Sequence, residues 1–75
     1  MEEYKKIFAK VLNLDENKVN NDISMENTQT WDSFANILLI IELERALEIK
    51  FTIDEIERIK DFESLEKIIK GKIKE

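Results

Sequence analysis

The segment that most constrains the fold of this chain runs from Phe34 to Glu48. It contains no glycine or proline, and Leu, Ile, Ala, Glu and Arg dominate it. This composition predicts an α-helix of about four turns. Asp32 and Ser33 stand immediately before it. Both are typical helix-start residues, because their side-chain oxygens can accept hydrogen bonds from the free amides of the first turn.

This predicted helix is apolar on two opposite faces, at about 100° per residue. The first face, with Asn36 as its only polar member, carries Leu39, Ile40, Leu43, Ala46 and Leu47. The second face, called the outer patch below, consists of Phe34, Ile37, Leu38 and Ile41, bordered by Glu44, Arg45 and Glu48. A helix that is apolar almost all round is either buried or carries a second interface. We expect the first face to lie in the core and the outer patch to be open to a partner. Burial of both faces by the chain's own helices is the alternative.

Composition excludes several classes of function. The chain has 75 residues, which corresponds to a single domain spanning 1–75. It has no cysteine and no histidine, so it lacks thiolate nucleophiles, the commonest metal ligand and the usual general base. Ser33 therefore has no histidine to activate it for hydrolysis. We expect no catalytic residue, no metal site and no enzymatic activity.

The charge distribution bears on partners and location. The net charge is −5, and residues 15–66 hold 14 acids and 5 bases, a local charge of −9. An acidic middle repels nucleic acid phosphates and favours a partner with a basic surface. No stretch approaches the ~18–20 apolar residues of a membrane span, and the N-terminus lacks a signal-peptide core. We expect a cytoplasmic monomer that binds no nucleic acid and has no membrane span.

The remaining segments predict three further helices. Glu2 to Leu14 shows the apolar spacing of an amphipathic helix. Residues 15–32 form a long polar connection that we expect to be held to the core by Val19, Ile23, Met25 and Trp31. Thr52 and Glu55 have the spacing of a capping box, which opens a short helix carrying Ile53, Ile56 and Ile59.

Asp61 is the expected N-cap of the last helix. The expected buried stripe of that helix is Phe62, Leu65, Ile68, Ile69 and Ile73. The sequence therefore predicts an all-α fold, a four-helix bundle with three main helices, one short third helix and a long first loop.

Ser33 has two interpretations on the residues alone. It can serve only to start the helix, which is the commonest role of Asp-Ser before an apolar run. It can also accept a modification, because a phosphate at a helix N-terminus lies at the positive end of the dipole, near unpaired amides. Asp32 and Ser33 by themselves leave both interpretations open.

The order of these elements resembles that of the acyl carrier protein family over essentially the whole chain. The residues that carry the resemblance are Trp31-Asp32-Ser33-Phe34, where the family has Asp-Ser-Leu, Leu39-Ile40-Ile41-Glu42-Leu43-Glu44, Phe51-Thr52-Ile53, and Asp61-Phe62. The resemblance implies a four-helix bundle in which Ser33 carries a 4′-phosphopantetheine arm derived from coenzyme A. The arm would hold acyl or aminoacyl groups as thioesters and present them to partner enzymes.

The resemblance also implies partners and roles. A phosphopantetheinyl transferase (holo-synthase) would modify Ser33, and an acyl or aminoacyl ligase and an acyltransferase would load and unload the arm. Asp32 would serve capping or recognition by the transferase. The partner-binding residues would be Phe34, Ile37, Leu38, Ile41 and Arg45. The residues lining the space between helices and loop would be Val19, Ile23, Trp31, Ile56, Ile59 and Leu65.

Departures from the family pattern favour a specialised carrier over one of housekeeping fatty-acid synthesis. Fatty-acid-synthesis carriers have acidic residues soon after the serine, where this chain has Ala35 and Leu38, and Arg45 interrupts the later acidic cluster. Thr30-Trp31 replaces the usual Gly-Ala-type lead-in. The alternative function is an unmodified helical interaction module that binds a partner helix through the Phe34–Ile41 patch.

Overall fold

The computed structural model describes residues 3–73 of the protein. Its α-helices are α1, Glu3–Leu12; α2, Ser33–Leu47; α3, Ile53–Arg58; and α4, Phe62–Ile73. One 3₁₀ turn, Glu16–Lys18, lies between α1 and α2. The described residues contain no β-strand beyond one isolated bridge between Ser24 and Asp61. The predicted all-α bundle, with three main helices and a short third one, is confirmed. None of the helices in this part of the chain is long and apolar enough to cross a membrane.

The first helix ends two residues earlier than predicted, at Leu12. Asn13 adopts a left-handed conformation, with φ of 59°. The amide of Leu14 donates to Ala9 O at 2.8 Å, and the amide of Asn13 donates to Lys10 O at 3.3 Å. This pair of hydrogen bonds is a Schellman motif, in which asparagine tolerates the left-handed position that ends the helix. The predicted first residue, Glu2, lies outside the described residues.

Three aromatic rings join α1, the long loop and α4 at the centre of the core. The ring of Phe8 lies 4.9 Å from that of Trp31 and 4.9 Å from that of Phe62, both in edge-on geometry. All three side chains are at most 1% exposed. The expectation that Trp31 anchors the end of the loop is therefore confirmed. Around these rings lie Tyr4, Leu12, Val19, Leu39, Ile40, Leu43, Ile59, Leu65 and Ile69.

The two faces of α2 have opposite environments. Leu39 and Leu43 are completely buried and Ile40 is 5% exposed. The outer patch is open to solvent, with exposed fractions of 71% for Phe34, 56% for Ile37, 42% for Leu38 and 45% for Ile41. The predicted assignment of the faces is confirmed, except that Ala46 is exposed. Ala46 lies about 60° from Leu43 around the helix, at the margin of the stripe, where its single methyl group does not reach the core.

The long loop is attached to the junction between α3 and α4 by backbone hydrogen bonds. The Met25 amide donates to Lys60 O at 2.9 Å, and the Phe62 amide donates to Ile23 O at 2.9 Å. Val19 is buried, and Ile23 and Met25 are half-buried against the core. The predicted anchor residues are confirmed, and these bonds hold the loop against the α3–α4 junction.

Short α3 is held mainly through its ends. The capping box is present, because Thr52 Oγ1 accepts from the Glu55 amide and Glu55 Oε1 accepts from the Thr52 amide. Lys72 Nζ on α4 lies 2.8 Å from Glu55 Oε1. Ile59 is buried just after the helix ends and Ile56 is half-buried, whereas Ile53 is 75% exposed. Asp61 caps α4 as predicted, with Oδ1 accepting from the Ser64 amide at 2.8 Å.

Candidate functional site

Ser33 is the first residue of α2 and is exposed to solvent. Asp32 is the N-cap, and its Oδ1 accepts from the Ala35 amide at 2.8 Å. The Asn36 amide makes the first helical bond, to Asp32 O at 2.9 Å. The amides of Ser33 and Phe34 make no hydrogen bond with any residue of the described range 3–73. An exposed hydroxyl thus lies at the positively polarised end of a long helix.

The outer patch begins directly beside this hydroxyl. Phe34 is the next residue in the chain, and Ile37 lies one helical turn beyond Ser33. Leu38 also lines a groove of about 360 Å³ with Ile7 and Val11 of α1, so the apolar surface extends from α2 onto α1.

Arg45, a predicted partner-binding residue, lies at the far end of the outer patch. Its side chain is 75% exposed and its Nη1 is 3.9 Å from Glu42 Oε2. At this distance and exposure the ion pair contributes little to stability. The guanidinium therefore remains accessible to a partner.

A second, larger groove of about 640 Å³ also borders Ser33, and Ile37 of the outer patch contributes to its lining. The loop, α2, α3 and the α3–α4 junction form its walls. Its apolar lining residues are Met25, Ile37, Ile56 and Ile59. Its charged lining residues are Glu26, Glu57, Lys60 and Asp61, and Ser24, Ser33 and Asn36 complete it. Its volume falls within the range of about 300–1,000 Å³ that is typical of small-molecule sites.

The predicted lining residues divide between this groove and the core. Ile56 and Ile59 line the groove. The other four do not, because Val19, Trp31 and Leu65 are buried in the core and Ile23 is half-buried against it. Sequence periodicity identifies apolar positions but does not distinguish a residue that fills the core from one that borders an opening.

Asn36 is the groove residue for which the sequence indicated no role. It accepts a hydrogen bond at Oδ1 from Trp31 Nε1, with a donor–acceptor distance of 3.1 Å, in the buried interior. Its position as the one polar residue in an apolar stripe was the available signal. The partner was not predictable, because Trp31 lies outside the helix and reaches Asn36 only through the conformation of the loop.

Two carboxyl groups, that of Asp61 in the groove and that of Glu55 on α3, have altered acidity. The pKa of Asp61 is lowered by the hydrogen bond from the Ser64 amide, supported by the Ser64 side chain. The pKa of Glu55 is lowered mainly by its hydrogen bond with Lys72. Both shifts stabilise the charged form, whereas a carboxyl that acts as a general acid at neutral pH needs a raised pKa. The described residues also contain no cluster of three or more acidic side chains that could hold a metal ion.

Comparisons with family models and curated proteins do not identify a function for this site. No protein-family model matches the chain, and no curated protein matches it at a significant level. The function must therefore be argued from Ser33 and its surroundings.

Proposed function

We propose that this protein is a carrier that holds acyl or aminoacyl groups on a 4′-phosphopantetheine arm attached to Ser33. The observation that carries the proposal is an exposed hydroxyl at the head of α2 that borders both an apolar patch and a groove. A carrier needs these three features together. The hydroxyl must be reachable for modification, the patch can receive a partner enzyme, and the groove can accept part of the arm.

The residues around Ser33 fit a phosphodiester. The free amides of Ser33 and Phe34 and the helix dipole favour a negative charge there. The charge of Asp32 opposes it, but Oδ1 of that residue is engaged with the Ala35 amide at 2.8 Å. The apolar walls of the groove, Met25, Ile37 and Ile56, suit the methylene and methyl groups of a pantetheine chain.

Ser33 would be modified by a separate transferase, since the chain has no histidine to deprotonate the hydroxyl. A bond forms between Ser33 Oγ and the phosphorus atom on the pantetheine side of coenzyme A. The phosphoanhydride bond breaks, adenosine 3′,5′-bisphosphate leaves, and the hydroxyl proton passes to a base of the transferase. Once attached, the arm supplies a terminal thiol that carries cargo as a thioester.

The outer patch would dock the transferase and the enzymes that load and unload the arm. Its four apolar residues are 42–71% exposed, which is unusual for adjacent large side chains on one helix. Arg45 and Glu42 at its edge carry charges of both signs. Because Ala35 and Leu38 stand where fatty-acid-synthesis carriers have acids, we favour dedicated partners of a specialised pathway.

Intact mass spectrometry tests the proposal. The protein is incubated with coenzyme A and a promiscuous phosphopantetheinyl transferase, together with Ser33→Ala and Ser24→Ala variants. Wild type and Ser24→Ala should both gain one phosphopantetheine, and Ser33→Ala should gain none. Ser24 is the matched control because it lines the same groove. Modification of Ser33→Ala would place the attachment site elsewhere.

The exposure of the outer patch also supports a second candidate, an unmodified interaction module that binds an amphipathic partner helix while Ser33 only starts α2. The same experiment separates the two functions. An unchanged mass of the wild type would favour the interaction module.

A further inference from the structure

Asn36 is a buried polar residue of α2 that lines the groove beside Ser33. It is the only polar residue among positions 3–73 that is buried, with 7% of its surface exposed. Burying an amide is unfavourable unless its polar atoms are hydrogen-bonded. The protein satisfies one of those atoms, Oδ1, with Trp31 Nε1 at 3.1 Å.

This hydrogen bond determines the orientation of the Asn36 amide. An indole nitrogen can only donate, so the atom that faces it must be the oxygen of the amide and not the nitrogen. Trp31 is itself held in the core, 1% exposed and packed edge-on against Phe8 at 4.9 Å. The nitrogen, Nδ2, is therefore held on the opposite side of the side chain.

Nδ2 has no partner within the described part of the chain. Its two N–H groups make no hydrogen bond there. Yet no side-chain nitrogen or oxygen among these residues is both sealed from solvent and unpaired. Nδ2 must therefore reach solvent, and the opening that Asn36 lines is the groove beside Ser33. Nδ2, whose orientation is set by the bond to Trp31, thus opens into this groove.

The groove favours a neutral acceptor over an anion. Three carboxylates, Glu26, Glu57 and Asp61, line it against one ammonium group, Lys60. A second phosphate or a free carboxylate would be repelled by this excess of negative charge. A carbonyl flanked by apolar groups would instead contact Met25 and Ile56 and accept from Nδ2.

Distance favours a group attached to Ser33. Ser33 and Asn36 are three residues apart on α2, a spacing that brings side chains onto the same face, with Cβ atoms about 5–6 Å apart. A chain that starts at Ser33 and enters the groove therefore begins within reach of Asn36. The pantetheine chain carries two amide carbonyls of the required kind.

We infer that Asn36 is a binding residue whose Nδ2 donates a hydrogen bond to an amide carbonyl of the arm on Ser33 and directs the arm into the groove. This inference rests on the proposed function. It assigns to Trp31 the role of a positioning residue, which presents the donors of Asn36 without contacting the arm.

Nuclear magnetic resonance of the ¹⁵N-labelled protein, before and after modification by coenzyme A and transferase, tests the inference. Intact mass first verifies that the arm is attached. The Asn36 side-chain NH₂ resonances should then shift, exchange more slowly with water and show nuclear Overhauser contacts to arm protons beside an amide. The side-chain amide of Asn20, which donates to Lys18 O at 3.2 Å and does not line the groove, should not change.

An Asn36→Asp variant sharpens the result. It keeps an oxygen for Trp31 Nε1 but removes both donors, and its missing resonance assigns the Asn36 signal. On the loaded variant, the contacts between the arm and Ile56 should be lost, while tryptophan emission reports whether the core is intact. If this variant does not fold, the wild-type measurement decides alone.

The outcomes separate the two proposals. A gain in mass with unchanged Asn36 resonances and no contacts to the arm would overturn the role of Asn36 and leave the carrier function standing. An unchanged mass would remove the carrier function and this inference together.

Discussion

The two faces of α2 have nearly the same composition and opposite surroundings. Leu39, Ile40 and Leu43 are at most 5% exposed on one face, whereas Phe34, Ile37, Leu38 and Ile41 are 42–71% exposed on the other. Hydrophobicity alone therefore does not predict which side of a helix is buried. The inner face stabilises the fold, whereas the outer face leaves apolar area exposed to solvent, which is the basis of the proposed docking surface.

The largest expected difference between the faces is in stability. Leu43→Ala should lower the free energy of unfolding by about 2–5 kcal/mol, because Leu43 is completely buried. Leu38→Ala is the matched control, because it makes the same substitution on the same helix. It should lower the free energy of unfolding by under about 1 kcal/mol, because Leu38 is 42% exposed. Urea unfolding of both variants measures the difference. Equal losses of unfolding free energy in the two variants would show that both faces contribute equally to stability, against the contrast in their burial.

The second expected difference is in recognition. If the proposed function holds, Phe34→Glu should lower kcat/KM of phosphopantetheinyl transfer to Ser33 on the order of tenfold, because a charge would replace an aromatic contact in the proposed docking surface. Far-UV circular dichroism should stay the same, since glutamate is favourable in the first turn of a helix. Ile53→Glu is the control, because Ile53 is 75% exposed on α3 and outside the outer patch. An equal loss of kcat/KM in the control would show that the docking surface includes α3.

The smallest expected effect concerns pH and lies outside both faces. The difference in stability between the two faces arises from apolar burial, so it should not change in acid. The stabilisation from the contact between Lys72 and Glu55 should decrease in acid. Because this contact lowers the pKa of Glu55 in the folded state, its contribution to stability is present above the unfolded-state pKa of about 4. The contribution is lost as the pH falls through the lowered folded-state pKa.

Lys72→Gln tests this pH dependence. The variant should be slightly less stable than wild type at neutral pH, and the two urea midpoints should converge in acid. Lys70→Gln is the matched control, since Lys70 Nζ lies 4.0 Å from Glu66 and 59% of its side chain is exposed. An offset that stays constant through the acid range would assign the effect of Lys72 to packing, including its position 5.6 Å from the centre of the Phe51 ring.

Much of the fold was predictable because the signals are local. Asp32, Thr52 and Asp61 cap helices through side-chain bonds to amides three residues later, and the structure contains all three bonds. The α1 boundary was predicted two residues too late, because the continuing apolar pattern at Leu14 concealed the helix stop at Asn13. That stop depends on backbone conformation, with φ of 59°, and not on hydrophobic spacing.

The groove beside Ser33 was only partly predictable. Ile56 and Ile59 were expected near it, but Met25 and Lys60 are brought together there by the bond from the Met25 amide to Lys60 O. Such a bond joins residues that are far apart in sequence, and nothing in the local pattern of either segment specifies it. The hydrogen bond between Trp31 and Asn36 likewise depends on how the loop enters α2.

The sequence by itself determined the helices, their caps, the position of Ser33 at the start of α2 and the two apolar faces, because each depends on residues within one or two turns of each other. The tertiary structure decided that the loop packs on the α3–α4 junction, that Trp31 bonds to Asn36, and that a groove opens beside Ser33. These outcomes depend on which surfaces of α1, α4 and the loop pack against α2. The packing depends on the apolar area that all segments bury together and not on any single segment.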